Sequence, residues 1–341
     1  MRRQQLQFNL LQRLRFSTTY PFSEKQARPK VFSLNSNPDI SKRPPRIRKI
    51  MAPVNPASEA AIARLRNYIP PPTAYDSVPF SRRAAVLILL FADAKGDLRV
   101  VVTIRAKTLS SYAGDAALPG GRADTPTETA FQTARREASE EIGLAGINQR
   151  LPHPFRVEHL CELPANLAKT EVVVRPCVAL LHGYDPRSGL SADPEVSLIP
   201  ILDAREVEAV FTAPLEGFLK SDLNGFDGYE DGHEWYRGTW GVWHDSNWRM
   251  HQFFVRKPGA EHTEVKHAAE DQVYRIFGMT ARIILDAARV AYAQEPEFEH
   301  NSHFGDEEMI AKLRRLGRLS EVRKASDELT RETMERAAKL T

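Results

Sequence analysis

Residues 118–144 of this chain read LPGGRADTPTETAFQTARREASEEIGL, which predicts a loop, a helix and a second turn. Thr125, Pro126 and Glu128 predict the start of the helix. The threonine hydroxyl can accept from an orphan backbone N–H, proline fits the first helical position, and the glutamate can reach back to close a capping box. Gly143 predicts the end of the helix, because glycine adopts the left-handed conformation without a Cβ penalty.

The predicted helix has an apolar face and an acidic face. Apolar side chains recur at roughly helical spacing, at Phe131, Ala134, Ala138 and Ile142. Glu137, Glu140 and Glu141 stand at i, i+3 and i+4, so their carboxylates gather on one side. Like charges at that spacing repel by roughly a few tenths of a kcal/mol per pair in water, and a hard cation such as Mg²⁺ or Mn²⁺ would relieve the repulsion. A solvated acidic face is the alternative interpretation.

The stretch as a whole resembles the Nudix box. That pattern is a glycine, five residues, a glutamate, seven residues, and then Arg-Glu-apolar-x-Glu-Glu-x-Gly-apolar. The matching residues are Gly121, Glu128, Arg136-Glu137, Glu140-Glu141 and Gly143-Leu144, with Pro119-Gly120 ahead of them. One departure is that six residues, not five, separate Gly121 from Glu128, and the additional residue lies in the loop. The resemblance implies an α/β fold, an α/β/α sandwich around a mixed sheet, and metal-dependent hydrolysis of a pyrophosphate bond.

The resemblance also implies roles for individual residues. The implied metal ligands are Glu137, Glu140, Glu141 and Gly121, with Mg²⁺ or Mn²⁺ as the cofactor. The candidates for the base that takes the proton of the attacking water are Glu137 and Glu140, or a downstream acid, Glu206 or Glu208. Glu128 and Arg136 would brace the loop and the helix behind the ligands, because Arg136 can pair with Glu140 or with Glu128.

A second stretch resembles the coenzyme A diphosphatase branch of the same family. That branch has Thr-x-Arg after a strand, a spaced Leu, and a Gly leading to Phe-Pro-Gly-Gly. The matching residues are Thr103-Ile104-Arg105, Leu109, Gly114 and Pro119-Gly120-Gly121, while Leu118 replaces the phenylalanine and Asp115 stands where glutamine is usual. The branch's middle segment and late helix resemble Glu206-Val207, Phe211, Pro214-Leu215 and residues 276–281. The resemblance covers about residues 81–290.

This second resemblance implies that coenzyme A or a derivative is cleaved to 3′,5′-ADP and 4′-phosphopantetheine or its acylated form. Two alternatives stay open. One is a Nudix pyrophosphatase of another nucleoside diphosphate, such as ADP-ribose, NADH or oxidised dGTP. The other is a non-catalytic Nudix-fold binding protein, although a binding module has no need of three mutually repelling carboxylates. In each case the partner is a small molecule.

Arg105, Lys107 and Gly120 are the candidate substrate-binding residues. Arg105 and Lys107 follow a predicted strand just ahead of the loop, where they can pair with phosphate oxygens, arginine as a bidentate fork. Gly120 allows the backbone to approach a phosphate closely. The alternatives are ordinary surface charge at a strand end and a plain tight turn.

Composition and charge describe a soluble globular chain with a basic leader. Of 341 residues, 42% are apolar and 27% are charged, and no apolar run approaches the ~18 residues of a membrane helix. Residues 1–50 carry a net charge of +10, whereas the remaining 291 carry −7 with no evident nucleic-acid patch. Two cysteines, Cys161 and Cys177, provide neither a disulfide framework nor zinc spacing and indicate a reducing compartment. The oligomeric state stays open.

The leader points to an organelle. Residues 1–23 contain four arginines, several leucines and phenylalanines and no acid, which is typical of a mitochondrial transit peptide; a disordered basic tail is the alternative. The resemblance to fungal peroxisomal coenzyme A diphosphatases implies peroxisomes instead. A peroxisomal address is read from the last three residues, and Thr341 after Ala-Lys-Leu departs from it. We therefore predict mitochondria, with peroxisomes as the alternative.

The pattern along the chain predicts four regions. They are a disordered leader (1–55), a short helix with a proline-rich linker (56–80), the Nudix domain (81–292) and a charged helical extension that packs poorly (293–341). Within the domain, residues 84–91 and 98–105 predict a hairpin and residues 155–163, 171–181 and 248–255 predict strands. Residues 207–219 predict a partly helical stretch, residues 225–241 a loop and residues 273–292 a helix.

Overall fold

A computed structural model of the protein describes residues 54–108, 114–194, 207–226, 229, 233–243, 246–257, 272–322 and 329–340. The predicted transit peptide, Leu109 and Glu206 lie outside these residues. The described residues belong to one compact unit. No helix within them is long or apolar enough to cross a membrane.

The described residues contain five α-helices and thirteen strands. The helices are α1 (Pro56–Arg66), α2 (Ala130–Ile142), α3 (Gly278–Tyr292), α4 (Glu307–Arg315) and α5 (Arg331–Ala338). The first seven strands are β1 (Arg83–Ala92), β2 (Leu98–Arg105), β3 (Ala116–Ala117), β4 (Gly120–Arg122), β5 (Arg156–Glu162), β6 (Asn166–Leu167) and β7 (Val173–His182). The others are β8 (Tyr184–Asp185), β9 (Leu190–Ser191), β10 (Val207–Pro214), β11 (Tyr236–Trp243), β12 (Ser246–Arg256) and β13 (Val273–Phe277).

The central sheet is mixed. Its main path runs β10-β2-β1-β7-β5, with β3 beside β2, β4 beside β1 and β6 beside β7. Strands β1 and β7 are parallel, and the other strand pairs of this sheet within the described residues are antiparallel. A separate antiparallel sheet has the order β11-β12-β13. The predicted hairpin of β1 and β2 is confirmed by the register of Leu90 with Val100.

Both faces of the central sheet are covered, because its strands carry apolar side chains on both sides. Ile88 and Leu90 of β1 face the core that contains α1, α3 and the smaller sheet. Leu87 and Leu89 face the core that contains α2, α4 and α5. A mixed sheet buried between two helical layers confirms the predicted α/β/α sandwich.

The loop ahead of α2 is held between two diverging strands. Strands β1 and β2 pair near their hairpin turn, and β3 and β4 then pair with β2 and β1 respectively. The backbone N–H of Leu87 donates to the carbonyl of Pro119 at 2.7 Å. The hydroxyls of Thr103 and Thr280 donate to the carbonyls of Ala117 and Ala116. The Gly-Gly segment is therefore fixed to the sheet, not carried on a free loop.

Three predictions of secondary structure are wrong. The stretch predicted as partly helical from residue 207 begins with strand β10, which pairs antiparallel with β2. Only Glu216–Leu219 form a short 3₁₀ helix. The late helix begins at Gly278, not at residue 273, because β13 precedes it and Gly278 takes a left-handed φ of 61°. The loop predicted up to residue 241 ends at Tyr236, where β11 begins.

The C-terminal extension packs well, contrary to the expectation. Ile310 and Leu313 of α4 and Met334 of α5 are at most 3% exposed and lie in the same core as the box helix α2. The carboxylate of Glu307 accepts hydrogen bonds from the backbone N–H groups of Ala74 and Ala165. Composition alone did not predict this packing, because the few apolar residues of an amphipathic helix stand among many charged ones and still form one buried face.

Candidate active site

Helix α2 begins four residues later than its sequence predicted. Thr129 is the N-cap: its hydroxyl accepts from the N–H of Gln132, and the Gln132 side chain accepts from the N–H of Thr129. The capping box predicted at Thr125 and Glu128 is therefore wrong. Thr129-x-x-Gln132 fits the same signature, and this was the signal that the sequence analysis missed. The predicted end is confirmed, because Gly143 is the C-cap with a φ of 67°.

This assignment makes a prediction about stability. Thr129→Ala removes the cap and should lower the free energy of unfolding by about 1 kcal/mol. Thr125→Ala is the matched control, because the hydroxyl of Thr125 has only a 3.4 Å contact with that of Thr127. Urea unfolding of both variants measures the difference. Equal losses for the two variants would contradict the assignment of Thr129 as the cap.

Arg136 ties the loop to helix α2. Its Nε lies 3.0 Å from Glu128 Oε1 and 3.2 Å from Asp124 Oδ2. The Glu128 carboxylate also accepts from the backbone N–H of Asp124 at 2.8 Å. Burial opposes the charge of Glu128, but the hydrogen bonds from Arg136 and from Asp124 N–H outweigh it, so the pKa of Glu128 is lowered. Glu128 is thus a loop anchor, not a helix cap.

The same guanidinium faces two of the candidate metal ligands. Arg136 Nη1 lies 3.0 Å from Glu137 Oε1 and 3.3 Å from Glu140 Oε2. Burial raises the pKa of Glu137, while the charge of Arg136 opposes that shift. Glu140 is 54% exposed and Glu137 only 15%, so the two carboxylates differ in their access to solvent.

The two glycines of β4 lie against other groups so closely that no side chain fits. A Cβ on Gly121 would overlap the carboxylate of Glu137. A Cβ on Gly120 would overlap the backbone of Ala85 and Val86. The N–H of Gly120 donates to Glu141 Oε2 at 3.1 Å, and Glu141 is 5% exposed. The glycines therefore let helix α2 press its carboxylates against the loop backbone.

The three glutamates fit a hard divalent cation in their donor chemistry. Glu137 lies against the Gly121 backbone and Glu141 accepts from the Gly120 N–H, and Mg²⁺ and Mn²⁺ prefer such oxygen donors. Glu137 and Glu140 point to Arg136, and Glu141 points to Gly120. Within the described residues, no three His, Cys, Asp or Glu side chains form a ready metal cluster. A cation would therefore compete with Arg136 for the same oxygens.

The candidate substrate residues lie at the end of β2, next to the loop. Arg105 donates its backbone N–H to Asp115 and accepts from the N–H of Gly114. Within the described residues its buried Nε has no hydrogen-bond partner. Lys107 is 79% exposed, and its Nζ lies 3.3 Å from Glu208 Oε1 on β10. The downstream acid Glu208 is thus paired with Lys107.

A groove of about 640 Å³ runs along the outer side of α2. Its lining includes Glu128, Arg136 and Glu140 together with residues 147–149. Its volume is within the range of small-molecule sites, roughly 300–1,000 Å³. The groove therefore lies beside Glu140 and Arg136, whereas its lining does not include Glu137, Glu141 or Arg105.

Comparisons with known proteins agree with this geometry. The family described as the NUDIX domain matches residues 81–224. Nudix hydrolase 15, mitochondrial, of Arabidopsis thaliana is 34% identical over 64% of this chain and 61% of its own length. Peroxisomal coenzyme A diphosphatase 1 of Saccharomyces cerevisiae is 28% identical over 70% of this chain and 77% of its own. The uncharacterized Nudix hydrolase NudL of Photorhabdus laumondii is 32% identical over 46% of this chain and 72% of its own.

This chain is also similar to a solved structure, the NUDIX domain of Shewanella oneidensis NrtR with ADP-ribose. The alignment covers 45% of this chain and 82% of that structure's chain, with 20% identity and a TM-score of 0.27. The chain spans about three fifths of the length of the two Arabidopsis relatives that it matches. The family match coincides with the strands, loop and helix that carry the glutamates and glycines described above. This chain belongs to the Nudix hydrolase superfamily.

Proposed function

We propose that the protein is a metal-dependent pyrophosphohydrolase whose catalytic domain spans residues 81–292. The observation that carries the proposal is the position of the Glu137 carboxylate. It lies directly against the Gly121 backbone, and Arg136 bridges it to Glu140. Helix packing alone has no need of a half-buried carboxylate with a like charge beside it, whereas metal and phosphate chemistry does.

Each residue of the box takes a role in this proposal. Glu137, Glu140, Glu141 and Gly121 would hold Mg²⁺ or Mn²⁺. When bound, such an ion lowers the pKa of a water molecule and neutralises charge on phosphate oxygens. Glu137 or Glu140 takes up the proton of the attacking water. Arg136 and Glu128 keep the helix and the loop in register, and Gly120 holds Glu141 through its N–H.

We assign coenzyme A or one of its derivatives as the substrate, with cleavage to 3′,5′-ADP and 4′-phosphopantetheine or its acylated form. The similarity to a yeast protein named as a coenzyme A diphosphatase supports this assignment. Arg105 supports it too, because it lies at the end of β2, next to the loop, where a guanidinium can pair with phosphate oxygens as a bidentate fork. Lys107 adds a positive charge just after the same strand, ahead of the loop that carries Gly120.

Mass spectrometry of products tests the proposal. The full chain is incubated with Mn²⁺ and a mixture of coenzyme A, acetyl-coenzyme A, ADP-ribose, NADH and oxidised dGTP. We expect 3′,5′-ADP with 4′-phosphopantetheine or its acetyl form ahead of every other product. Preferred consumption of another nucleotide would retain the pyrophosphohydrolase and reject the coenzyme A assignment. No turnover of any compound would reject the enzymatic function in favour of a binding protein.

We also propose that the protein is mitochondrial. The basic, acid-free residues 1–23 support this, as does the similarity to a plant relative named as mitochondrial. The yeast relative is named as peroxisomal, so the two organelles are the outcomes to separate. A fluorescent protein fused after residue 50 should enter mitochondria. Diffuse cytosolic fluorescence would reject the targeting role of the leader.

A further inference from the structure

Residues 318–321, here called the C-terminal clamp, are joined to the domain by an ionic triad in which Arg82 and Glu171 are buried and Arg318 is 29% exposed. Arg318 Nε donates to Glu171 Oε1 at 2.6 Å, and Arg318 Nη2 contacts the same oxygen. Arg82 Nη1 lies 3.5 Å from Glu171 Oε2, and both of these side chains are 1% exposed. A buried charge is strongly unfavourable without its partners, so the triad fixes the clamp to the start of β1 and to the turn before β7.

Two residues of this junction hold an unusual backbone conformation. Glu171 and Leu319 have φ values of 56° and 58°, in the left-handed region that non-glycine residues rarely adopt. Leu319 is 3% exposed and packs in the same core as the box helix. Such conformations persist only where surrounding contacts hold the backbone in place, and they are common at functional sites. The junction is therefore a tightly specified contact between the clamp and the domain.

Hydrogen bonds extend this contact to the first residues of the domain. The carbonyl of Ser320 accepts from Arg82 Nε at 2.9 Å, and the carbonyl of Glu321 accepts from the Ser81 hydroxyl at 3.1 Å. Strand β1 begins at the next residue, Arg83, whose carbonyl accepts from the N–H of Ala123 at 3.1 Å. The clamp thus reaches the strand against which the Gly-Gly segment is paired.

Arg122 continues the path from the strand to the box helix. Its Nη1 donates to the Ser81 carbonyl at 3.2 Å, and its own carbonyl accepts from Arg136 Nη2 at 2.7 Å. Arg136 in turn faces Glu137 and Glu140. An unbroken series of contacts therefore runs from the clamp through Ser81 and Arg122 to the guanidinium between the two carboxylates.

We infer that the C-terminal clamp positions the carboxylates of the active site. It fixes the start of β1, and Arg122 transmits that position to Arg136 and so to Glu137 and Glu140. This inference rests on the proposed function, which assigns those carboxylates to a divalent cation. Arg122 and Arg318 act through Arg136 and are positioning residues. The charged segment that follows the catalytic domain is thereby part of its catalytic apparatus.

The test compares three arginines in the full chain. Arg122→Met cuts the contact with Ser81, and Arg318→Met removes one member of the triad. Arg314→Met is the matched control, because Arg314 also joins the C-terminal segment to the domain, through Ser77, but lies off the path to Arg136. Arg122→Lys and Arg318→Lys retain a charge and a donor at each position and serve as rescue variants.

Four quantities are measured for each variant: Mn²⁺ affinity by electron paramagnetic resonance of the free ion, kcat for coenzyme A, KM for coenzyme A, and melting temperature. We expect Arg122→Met and Arg318→Met to weaken Mn²⁺ binding by about three- to tenfold and to lower kcat with KM within about twofold, toward the low end of what partners of metal ligands contribute. The lysine variants should recover at least half of the lost affinity, and Arg314→Met should bind Mn²⁺ like the wild type.

The outcomes separate the inference from the proposed function. The inference alone would be overturned if the wild type bound Mn²⁺ and the Arg122→Met and Arg318→Met variants bound it as tightly as Arg314→Met does. A wild-type chain that binds no Mn²⁺ would overturn the proposed function and the inference with it. If Mn²⁺ affinity fell in all three methionine variants in proportion to melting temperature, the clamp would act through stability, and the positioning role would be rejected.

Discussion

Replacing Glu140 with glutamine is expected to lower kcat by about 10²–10³-fold, the size of effect found when one preorganised electrostatic contact to developing charge is removed. The substitution removes one negative charge from the proposed metal site and nearly preserves the shape of the side chain. Glu140 is 54% exposed, and a glutamine oxygen can still accept from Arg136 Nη1. The melting temperature of the metal-free protein should therefore stay within about 1–2 °C of the wild type, since surface substitutions rarely exceed about 0.5 kcal/mol.

Two measurements are made on this variant: kcat at saturating Mn²⁺ and the rise in melting temperature that Mn²⁺ produces. A ligand that binds the native state raises its stability by mass action, so loss of a metal ligand should shrink that rise. Glu332→Gln is the control, because Glu332 is an exposed acid on α5. If Glu140→Gln retained kcat within threefold of the wild type, Glu140 would be removed from the site.

Replacing Gly121 with alanine should impair both activity and stability. The added methyl group would overlap the Glu137 carboxylate, so helix α2 or the loop must move apart. Insertion of atoms into a close-packed contact costs about 1–3 kcal/mol, which corresponds to a melting temperature lower by a few degrees. Because the displaced group is a proposed metal ligand, we expect kcat to fall by about 10²-fold as well, since misplacement by about 1 Å has that effect.

Gly241→Ala is the matched control for this substitution. Gly241 also lies in a strand, β11, but a Cβ there would meet nothing within 4 Å. Its activity and melting temperature should stay close to those of the wild type, since the only change is a small gain from the less flexible unfolded chain. A Gly121→Ala variant that matched Gly241→Ala in both quantities would show that the Glu137 carboxylate does not rest against the loop.

In the box helix α2, the local sequence pattern predicted the end of the helix and its acidic face correctly but not its start. Gly143 predicted the helix end, and the acidic i, i+3, i+4 spacing placed Glu137, Glu140 and Glu141 on one face, because both depend on backbone geometry alone. The start was wrong because two overlapping capping signatures compete in this stretch. Thr129 is the N-cap, because the Glu128 carboxylate accepts hydrogen bonds from Arg136 and from the backbone N–H of Asp124 and does not cap the helix. That choice depends on a partner eight residues away.

The errors in β10 and β13 have a similar origin. Residues 207–214 pair with β2, which lies about a hundred residues earlier, and residues 273–277 pair with β12, the strand before them in the chain. A short apolar run suits a strand or a helix, and only the partner strand decides between them. The C-terminal segment was misjudged for the same reason, because its few apolar residues find their core only in the folded domain.

The sequence by itself determined the superfamily and singled out the acidic residues, because its glycines and carboxylates resemble the Nudix box. That resemblance in turn implied the sandwich fold. Tertiary structure alone decided what those carboxylates face. Gly121 lies against Glu137, and Arg136 stands between Glu137 and Glu140, because strands β1 and β2 diverge and hold the loop beneath the helix. The contact of Arg318 with Glu171 joins residues 147 positions apart in the chain, and a contact of that kind exists only after the chain has folded.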